Sequence, residues 1–430
     1  MHTPVFRVTR FHAGRWLVWP LFALLLGCAP LVFDSTLSVS MLAQMGIAII
    51  ACLSYNMLLG QGGMLSFGHA VYTGLGSYAA IHALLRVSEG VIVLPVSLIP
   101  LVGGLAGLCM AALFGYVTTK KAGTPFAMIT LGVGELVFAM ALMFSGVFGG
   151  EAGISANRVV GDPWWGITFG PHIQVYYLIA VYTLVCVALM YAFTLTPLGR
   201  IINAVRDNPE RVEFIGYNTR VVRYLVFIIA GFFAGVAGGL SAIQFEIVTP
   251  EVLGPIQSGG YLLFTFLGGT TVFFGPIIGG VLMVLAWVLF SEITQAWLLY
   301  LGLIFLFMVM YAPGGMASLI MMNLRVGQFG RWREVWVSYV ALAATALVCL
   351  AGAGAMIEMT YHLQLNSALG DELQFLGLTL HARDASIWVG AGLVALTGLG
   401  LFELTRRQFK QQWADIQTSI EQAIPRQGVQ

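Results

Sequence analysis

The 430-residue chain is 59% hydrophobic and 9% charged, against roughly 45–50% and 25% in soluble domains, which excludes a water-soluble globular protein. A net charge of +1 gives no basis for nucleic-acid binding, and the five cysteines lie in apolar runs without C-x-x-C pairs or metal-ligand spacing. No G-x-x-x-x-G-K-[ST] loop, H-E-x-x-H or G-x-S-x-G motif occurs, so no catalytic residue is identified and any ATP must bind another chain.

Apolar runs near the ~20 residues needed to cross a bilayer predict helices at about 16–33, 38–60, 67–86, 91–118, 125–147, 173–194, 225–245, 257–270, 275–291, 297–312, 335–357 and 386–402. The expected fold is an all-α polytopic membrane protein, with the shorter runs as broken helices. Leu25-Leu26-Gly27-Cys28 has the look of a lipoprotein cleavage site, but Leu26 fits poorly, and an uncleaved first span is expected. Of the 20 Lys and Arg, only Arg86, Arg158 and Arg383 fall on the outer side when the N-terminus is inside. That bias predicts both termini in the cytoplasm.

After the second run comes GGMLSFGHAVYTGLGSY, residues 62–78. Ser66, Ala70 and Gly74 recur every four residues, as a small-residue ridge that admits a close helix neighbour would; Gly231, Gly235 and Gly239 repeat the device. His69 either lines a pathway or bonds a neighbouring carbonyl. Glu135 is the charge placed deep within a span, where it is costly and marks either a pathway or a tight internal bond.

In the inner segment 195–224, Asn208 caps a helix, Pro209 opens it, Glu210 suits its positive end and Gly216 stops it. The predicted helix, Pro209–Ile215, with the neighbouring Arg206 and Asp207, is either a solvated loop or a docking surface. The glycines at 268–280 read as a broken helix, serving a pathway or a packing kink. The Gly-rich segments 62–78 and 259–280 leave open an inverted repeat. After the last span the tail places Phe409, Trp413, Ile416, Ile420 and Ile424 on one helical face, directed at the membrane surface or a partner.

Asn56-Met57-Leu58-Leu59-Gly60, Gly63 through Ala70 and Gly74 through Tyr78, then Thr130-Leu131 with Glu135, follow one another in order. Gly149-Gly150-Glu151-Ala152-Gly153-Ile154, Gly199-Arg200 through Ile215-Gly216, Ala234 through Leu240, and Leu267-Gly268-Gly269 to Gly275-Pro276 continue the series. Over about residues 38–320 this order resembles the membrane subunits of bacterial branched-chain amino-acid ABC importers. The resemblance implies a permease of the bacterial cytoplasmic (inner) membrane, working with a second similar permease, two ATP-binding subunits and an extracytoplasmic substrate-binding protein. This chain would bind no cofactor, ATP and Mg being held by the partner ATPase.

The resemblance further implies ATPase coupling through Arg200, Arg206, Asp207, Asn208, Glu210, Arg211 and Gly216. Pathway or gate candidates are Ser66, His69, Glu135, Gly149, Gly150, Gly153, Gly268, Gly269 and Gly275. The expected organisation is an N-terminus and first span (1–37), a core of about ten spans (38–320), two additional spans (321–402) with an outer loop bearing Glu358, Asp371, Glu372 and Asp384, and a cytoplasmic tail (403–430). Departures from the family pattern are Thr271-Val272 after Gly268-Gly269, and Tyr311-Ala312-Pro313-Gly314-Gly315, which lacks an expected arginine. Cargo remains open between branched-chain or other apolar amino acids and urea or short amides. A stand-alone proton-coupled carrier using Glu135 is the rival from another class.

Overall fold

The computed structural model describes residues 13–160, 168–312, 314–328, 332–365, 372–375 and 377–427. Arg7, Arg10, Pro313, Arg331 and Asp371 lie outside them, as do the side chains of Arg15, Arg325, Arg333, Ile420, Ile424 and Arg426. Backbone polar groups in hydrocarbon must be satisfied within the protein, and the described residues are accordingly mostly helical, with two small strand pairs in the links. Eight of these helices are long and apolar enough to cross a membrane, nine if one bent pair counts as a span. The chain divides into two compact units, Met1–Leu285 with Met308–Ala317, and Ala286–Phe307 with Ser318–Gln430. Residues 286–307, expected within the permease core, thus group with the second unit.

The first unit begins with α1 (Ala13–Val32) and α2 (Thr36–Asn56), which Ser35 caps by accepting from Ser38 N. A π-turn, Met57–Gln61, ends α2. Then come α3 (Ala70–Ser88), α4 (Ile99–Thr118), α5 (Thr124–Met143), the single turn α6 (Ser145–Phe148) and α7 (His172–Leu195). The short helices α8 (Pro197–Asp207) and α9 (Pro209–Phe214) lead into α10 (Thr219–Phe245), α11 (Pro255–Gly268) and α12 (Gly275–Val284). Two short strands, β1 (Ile154–Ser155) and β2 (Ile247–Val248), pair antiparallel.

The most enclosed span is α10, and its glycines explain why. A Cβ at Gly76 would come within 2.6 Å of Gly235 Cα, one at Gly107 within 2.8 Å of the same atom, and one at Gly239 within 2.7 Å of Pro100 Cα. The predicted ridge Gly231, Gly235, Gly239 is therefore the seam between α10 and α4. The ridge expected from Ser66, Ala70 and Gly74 does not form: α3 starts at Ala70, leaving Ser66 outside any helix. Its place against α10 is taken by Thr73, Gly76 and Ser77, whose Oγ donates to Gly238 O at 2.9 Å.

Of the predicted runs, 257–270 gives only 14 helical residues, about 21 Å against a hydrocarbon core of about 30 Å. The run 16–33 is likewise a shorter apolar helix, Leu17–Val32 among the described side chains. The run 67–86 yields α3, whose interspersed Thr73, Ser77, His82 and Arg86 make it less apolar than a full span.

A π-segment, Leu285–Phe290, leads into the second unit at Ala286 and on to α13 (Ser291–Ile293); α14 (Trp297–Tyr311) belongs to that unit up to Phe307 and α15 (Gly315–Gln328) from Ser318. α16 (Trp332–Leu365) and α17 (Ala385–Gln427) are joined through the antiparallel strands β3 (Glu372–Phe375) and β4 (Leu378–His381). They pack antiparallel: a Cβ at Gly352 would lie 2.8 Å from Ala395 Cα, one at Gly398 2.6 Å from Cys349 Cα, and the Thr345 and Thr405 hydroxyls bond at 3.0 Å. The tail is not a separate surface helix. α17 continues unbroken, and Phe409, Trp413 and Ile416 are packed with Val326, Val335 and Tyr339. Their aromatic contacts, 4.9 Å for Tyr339–Phe409 and 5.7 Å for Phe409–Trp413, cover the part of the face formed by Phe409, Trp413 and Ile416 that was expected to meet membrane or ATPase.

Candidate functional site

Residues 62–69, between the π-turn of α2 and the start of α3, contain no regular helix. Such backbone is tolerated at membrane depth only where protein or water satisfies it, and here side chains from three helices do so. Tyr55 OH of α2 donates to Ser66 O at 3.0 Å, Thr130 Oγ1 of α5 accepts from Phe67 N at 3.2 Å, and Ser258 Oγ of α11 accepts from Ala70 N at 3.1 Å. Gly68 lies against the backbone at Thr130, and a Cβ at Gly134 would be 3.4 Å from Gly68 Cα. The segment is thus a keystone between α2, α5 and α11.

Ser66 and His69 are fully buried in it. The His69 Nε2 pairs with Ser54 Oγ at 2.8 Å rather than with a carbonyl, and its ring meets those of Tyr55, Tyr72 and Tyr261 edge-on. Among the described residues, its Nδ1 and the Ser66 hydroxyl have no hydrogen-bond partner.

Glu135, the twelfth residue of the 20 in α5, lies about 16 Å along the helix from Thr124. The buried side of α5 is Phe126, Ala127, Thr130, Gly134, Val137 and Ala141. Glu135 is on the opposite, exposed side with Met128, Gly132, Leu136 and Ala139, and forms no ion pair or hydrogen bond among the described residues.

Between α6 and α7, Gly149 and Gly150 lead through a 3₁₀ turn to Gly153, whose φ of +72° and contact with Val248 and Thr249 backbone leave no room for a side chain. Strand β1 follows and pairs with β2 beyond the end of α10. At the break after α11, Gly269 has φ +113°, and Gly268 is pressed against Gly275 and Gly279 of α12, so the chain reverses backbone to backbone.

The inner segment is built as its caps predict. Thr196 accepts from Gly199 N at the start of α8, Asn208 Oδ1 accepts from Arg211 N at 3.0 Å at the start of α9, and Gly216 follows with φ +95°. Arg206 bonds its neighbour Asp207 at 2.9 Å and donates from Nη1 to Gly60 O, in the π-turn of α2, while its stem covers Gly63. Glu210 and Arg211 are exposed; Phe214 is 90% exposed and Ile215 74%.

Residues 37–313 match the family model described as branched-chain amino acid transport system / permease component. The chain belongs to that family. It is 27% identical over 304 residues to the high-affinity branched-chain amino acid transport system permease protein LivM of Escherichia coli, covering 65% of this chain and 70% of the relative. The LivM of Salmonella typhimurium is 28% identical over 67% and 72%, and the fructose import permease protein FrcC of Rhizobium meliloti 27% over 42% and 54%. No solved structure matches. The chain is an integral membrane permease of the ABC importer type.

Within this permease the predicted pathway residues fall into four places. Ser66 and His69 sit in the buried keystone, Glu135 on the open face of the adjoining α5, and Gly268, Gly269 and Gly275 at the break that touches the π-turn: a Cβ at Gly60 would come 2.5 Å from Thr270 O. Gly149, Gly150 and Gly153 lie in the loop between α6 and β1. Of the inner residues, Arg206 reaches the keystone and Glu210 and Arg211 do not. Among the described residues no group of three or more His, Cys, Asp or Glu is arranged to hold a metal ion.

Sequence reasoning missed Arg158, in the outer loop. It is 5% exposed and donates from Nε to Phe169 O at 2.7 Å, from Nη2 to Gly170 O at 2.9 Å and from Nη1 to Gln244 O at 3.4 Å. Its Nη1 is also 3.7 Å from Glu246 Oε2, and its backbone N–H donates to Glu246 Oε1. One guanidinium thus pins the outer loop to the end of α10. The available signal was its rarity, as one of the three basic residues that the charge bias assigns to the outer side. Arg158→Gln is expected to destabilise the permease by about 2–4 kcal/mol, below the top of the range for broken buried pairs because Glu246 is partly exposed. A thermal-unfolding midpoint in detergent checks this, and an unchanged midpoint contradicts the clamp.

Proposed function

We propose that the chain is one of two permease subunits of an ATP-driven importer of the bacterial cytoplasmic membrane, carrying branched-chain or other apolar amino acids inward. A second, similar permease completes the pathway, two ATPase subunits dock on α8 and α9, and an extracytoplasmic binding protein delivers the cargo to the outer loops. The observation that carries this reading is the bond from Arg206 to Gly60 O. It joins the exposed inner segment to the keystone, which in turn is bonded to α5 through Thr130 and to α11 through Ser258.

A push on α8 and α9 therefore reaches the intramembrane break without crossing a flexible linker. In this mechanism the ATPase supplies ATP and Mg, and this chain supplies the lever and the wall of the pathway. Arg206→Ala is expected to leave the complex assembled but to lower substrate moved per ATP hydrolysed by about tenfold, the order of one charge-assisted hydrogen bond. The check is the ratio of uptake to ATP hydrolysis in proteoliposomes holding the purified complex; an unchanged ratio removes Arg206 from the coupling route.

A further inference from the structure

We propose that the cavity between α1 and α12 seats one acyl chain of a membrane phospholipid, and that this chain braces the start of α12. The cavity has a volume of about 190 Å³ and is lined by Val18, Trp19 and Phe22 of α1 and by Phe274, Ile277 and Ile278 where α12 begins. Three of these six side chains precede the family-matched residues 37–313. The seat is therefore one that the matched core does not build alone.

The way α1 is held leaves this space. A proline removes the N–H that would bond the carbonyl four residues back, so Pro30 frees the carbonyl of Leu26. Tyr176 of α7 donates its hydroxyl to that oxygen at 2.5 Å, and Tyr177 donates to Gly27 O at 3.4 Å. The C-terminal half of α1 is thus hydrogen-bonded to α7. The N-terminal half meets α7 through rings instead: Trp19 lies edge-on to Tyr191 at 5.4 Å, and Tyr191 stacks with Phe274 at 6.3 Å. Tyr191 therefore bridges Trp19 and Phe274, one from each wall of the cavity.

The chemistry of the walls selects the occupant. Protein interiors are packed to crystal-like density, and a void forfeits the attraction its lining would gain from neighbouring atoms. A bound water needs two to four polar partners, and this lining presents no polar atom. The cavity is open on one side, and Leu17, Leu21, Leu24 and Leu25 of the same helix are exposed. Around an apolar helix of an integral membrane protein lies hydrocarbon, which a bilayer supplies as acyl chains. Trp and Tyr concentrate at the level of the lipid headgroups, so Trp19 and Tyr191 suit the ester end of the chain. Phe274 is the N-cap residue of α12 and follows Gly269, with its φ of +113°, by five positions. A chain packed on Phe274 and Ile277 thus steadies the helix that resumes after the break.

The test is native mass spectrometry of the full chain, with the subunits that purify with it, extracted in mild detergent; the readout involves neither cargo nor ATP. Val18→Phe fills the space from the exposed side of α1, and Val18→Ala leaves it open. Wild type and Val18→Ala are expected to retain a phospholipid, and Val18→Phe to lower that retention by about tenfold or more, the effect of overpacking the seat. Phosphatidylcholine brominated on its acyl chains, titrated into the detergent-solubilised protein, gives a second reading that needs no cavity variant. It is expected to quench indole fluorescence saturably at one lipid per chain, and Trp19→Phe to lose that component. Equal retention by Val18→Phe would overturn the proposal, as would a wild type with neither retained phospholipid nor saturable quenching. Loss of a co-purifying subunit from Val18→Phe would overturn it too, by making the cavity a protein interface.

Discussion

Phe214→Ser with Ile215→Ser is expected to detach the ATPase subunits and abolish ATP-driven uptake, while the chain still inserts and folds. Both side chains stand at the end of α9, 90% and 74% exposed, beside charged Glu210, Arg211 and Glu213. Large apolar groups left in water on a short, well-capped helix contribute nothing to this chain's own core. They have the character of buried anchors at an interface, where truncation costs about 2–4 kcal/mol each. The pair together would weaken docking by roughly a thousandfold or more. Exchanging the charges, Glu210→Arg with Arg211→Glu, alters rim residues and is expected to change salt dependence and association rate more than final affinity. Retention of the ATPases by affinity-purified variant, measured against wild type, checks the ranking. Full retention after the double serine change, or a larger loss from the charge exchange, would contradict it.

Gly238→Val is expected to prevent assembly of the first unit. Gly238 faces the backbone of Thr73 and Ser77, and a Cβ there would overlap the Thr73 carbonyl and come within 2.9 Å of Ser77 N. Main chain cannot swing aside as a side chain can, so α3 and α10 would have to part, breaking the Ser77–Gly238 bond and the Gly76–Gly235 contact together. The cost is about 3 kcal/mol or more, beyond ordinary overpacking. Size-exclusion elution of the variant in mild detergent is expected to show aggregate rather than a single species. Gly259→Ala is a suitable control, since nothing lies within 4 Å of a Cβ there. A monodisperse Gly238→Val protein with wild-type melting would refute the backbone-to-backbone seam.

Helices, their caps and the α10 seam were legible because each rests on a local rule. A run of apolar residues, an Asn-Pro start, a glycine stop or a four-residue glycine spacing acts over a few positions. The Ser66, Ala70, Gly74 ridge failed for the same reason, because spacing was read without knowing that the helix begins only at Ala70. Other features depend on partners far along the chain. Arg158 meets Gln244 and Glu246, Arg206 meets Gly60, and Phe409 meets Tyr339, and no short-range pattern announces such pairs. The amphipathic face of the tail was visible, but its occupant was not, since both membrane and α16 satisfy an apolar stripe. Glu135 was singled out by its cost in a span, whereas the side of α5 it occupies follows only from which residues the keystone covers.

The proton-coupled alternative draws its support from the unpaired Glu135, and energisation separates the two accounts. The measurement is uptake into proteoliposomes of the natively purified assembly, with ATP supplied to the ATPase side or with a proton gradient imposed alone. The account predicts uptake that requires ATP and persists when a protonophore collapses the gradient. Uptake by the chain alone, driven by the gradient and lost with the protonophore, would contradict it.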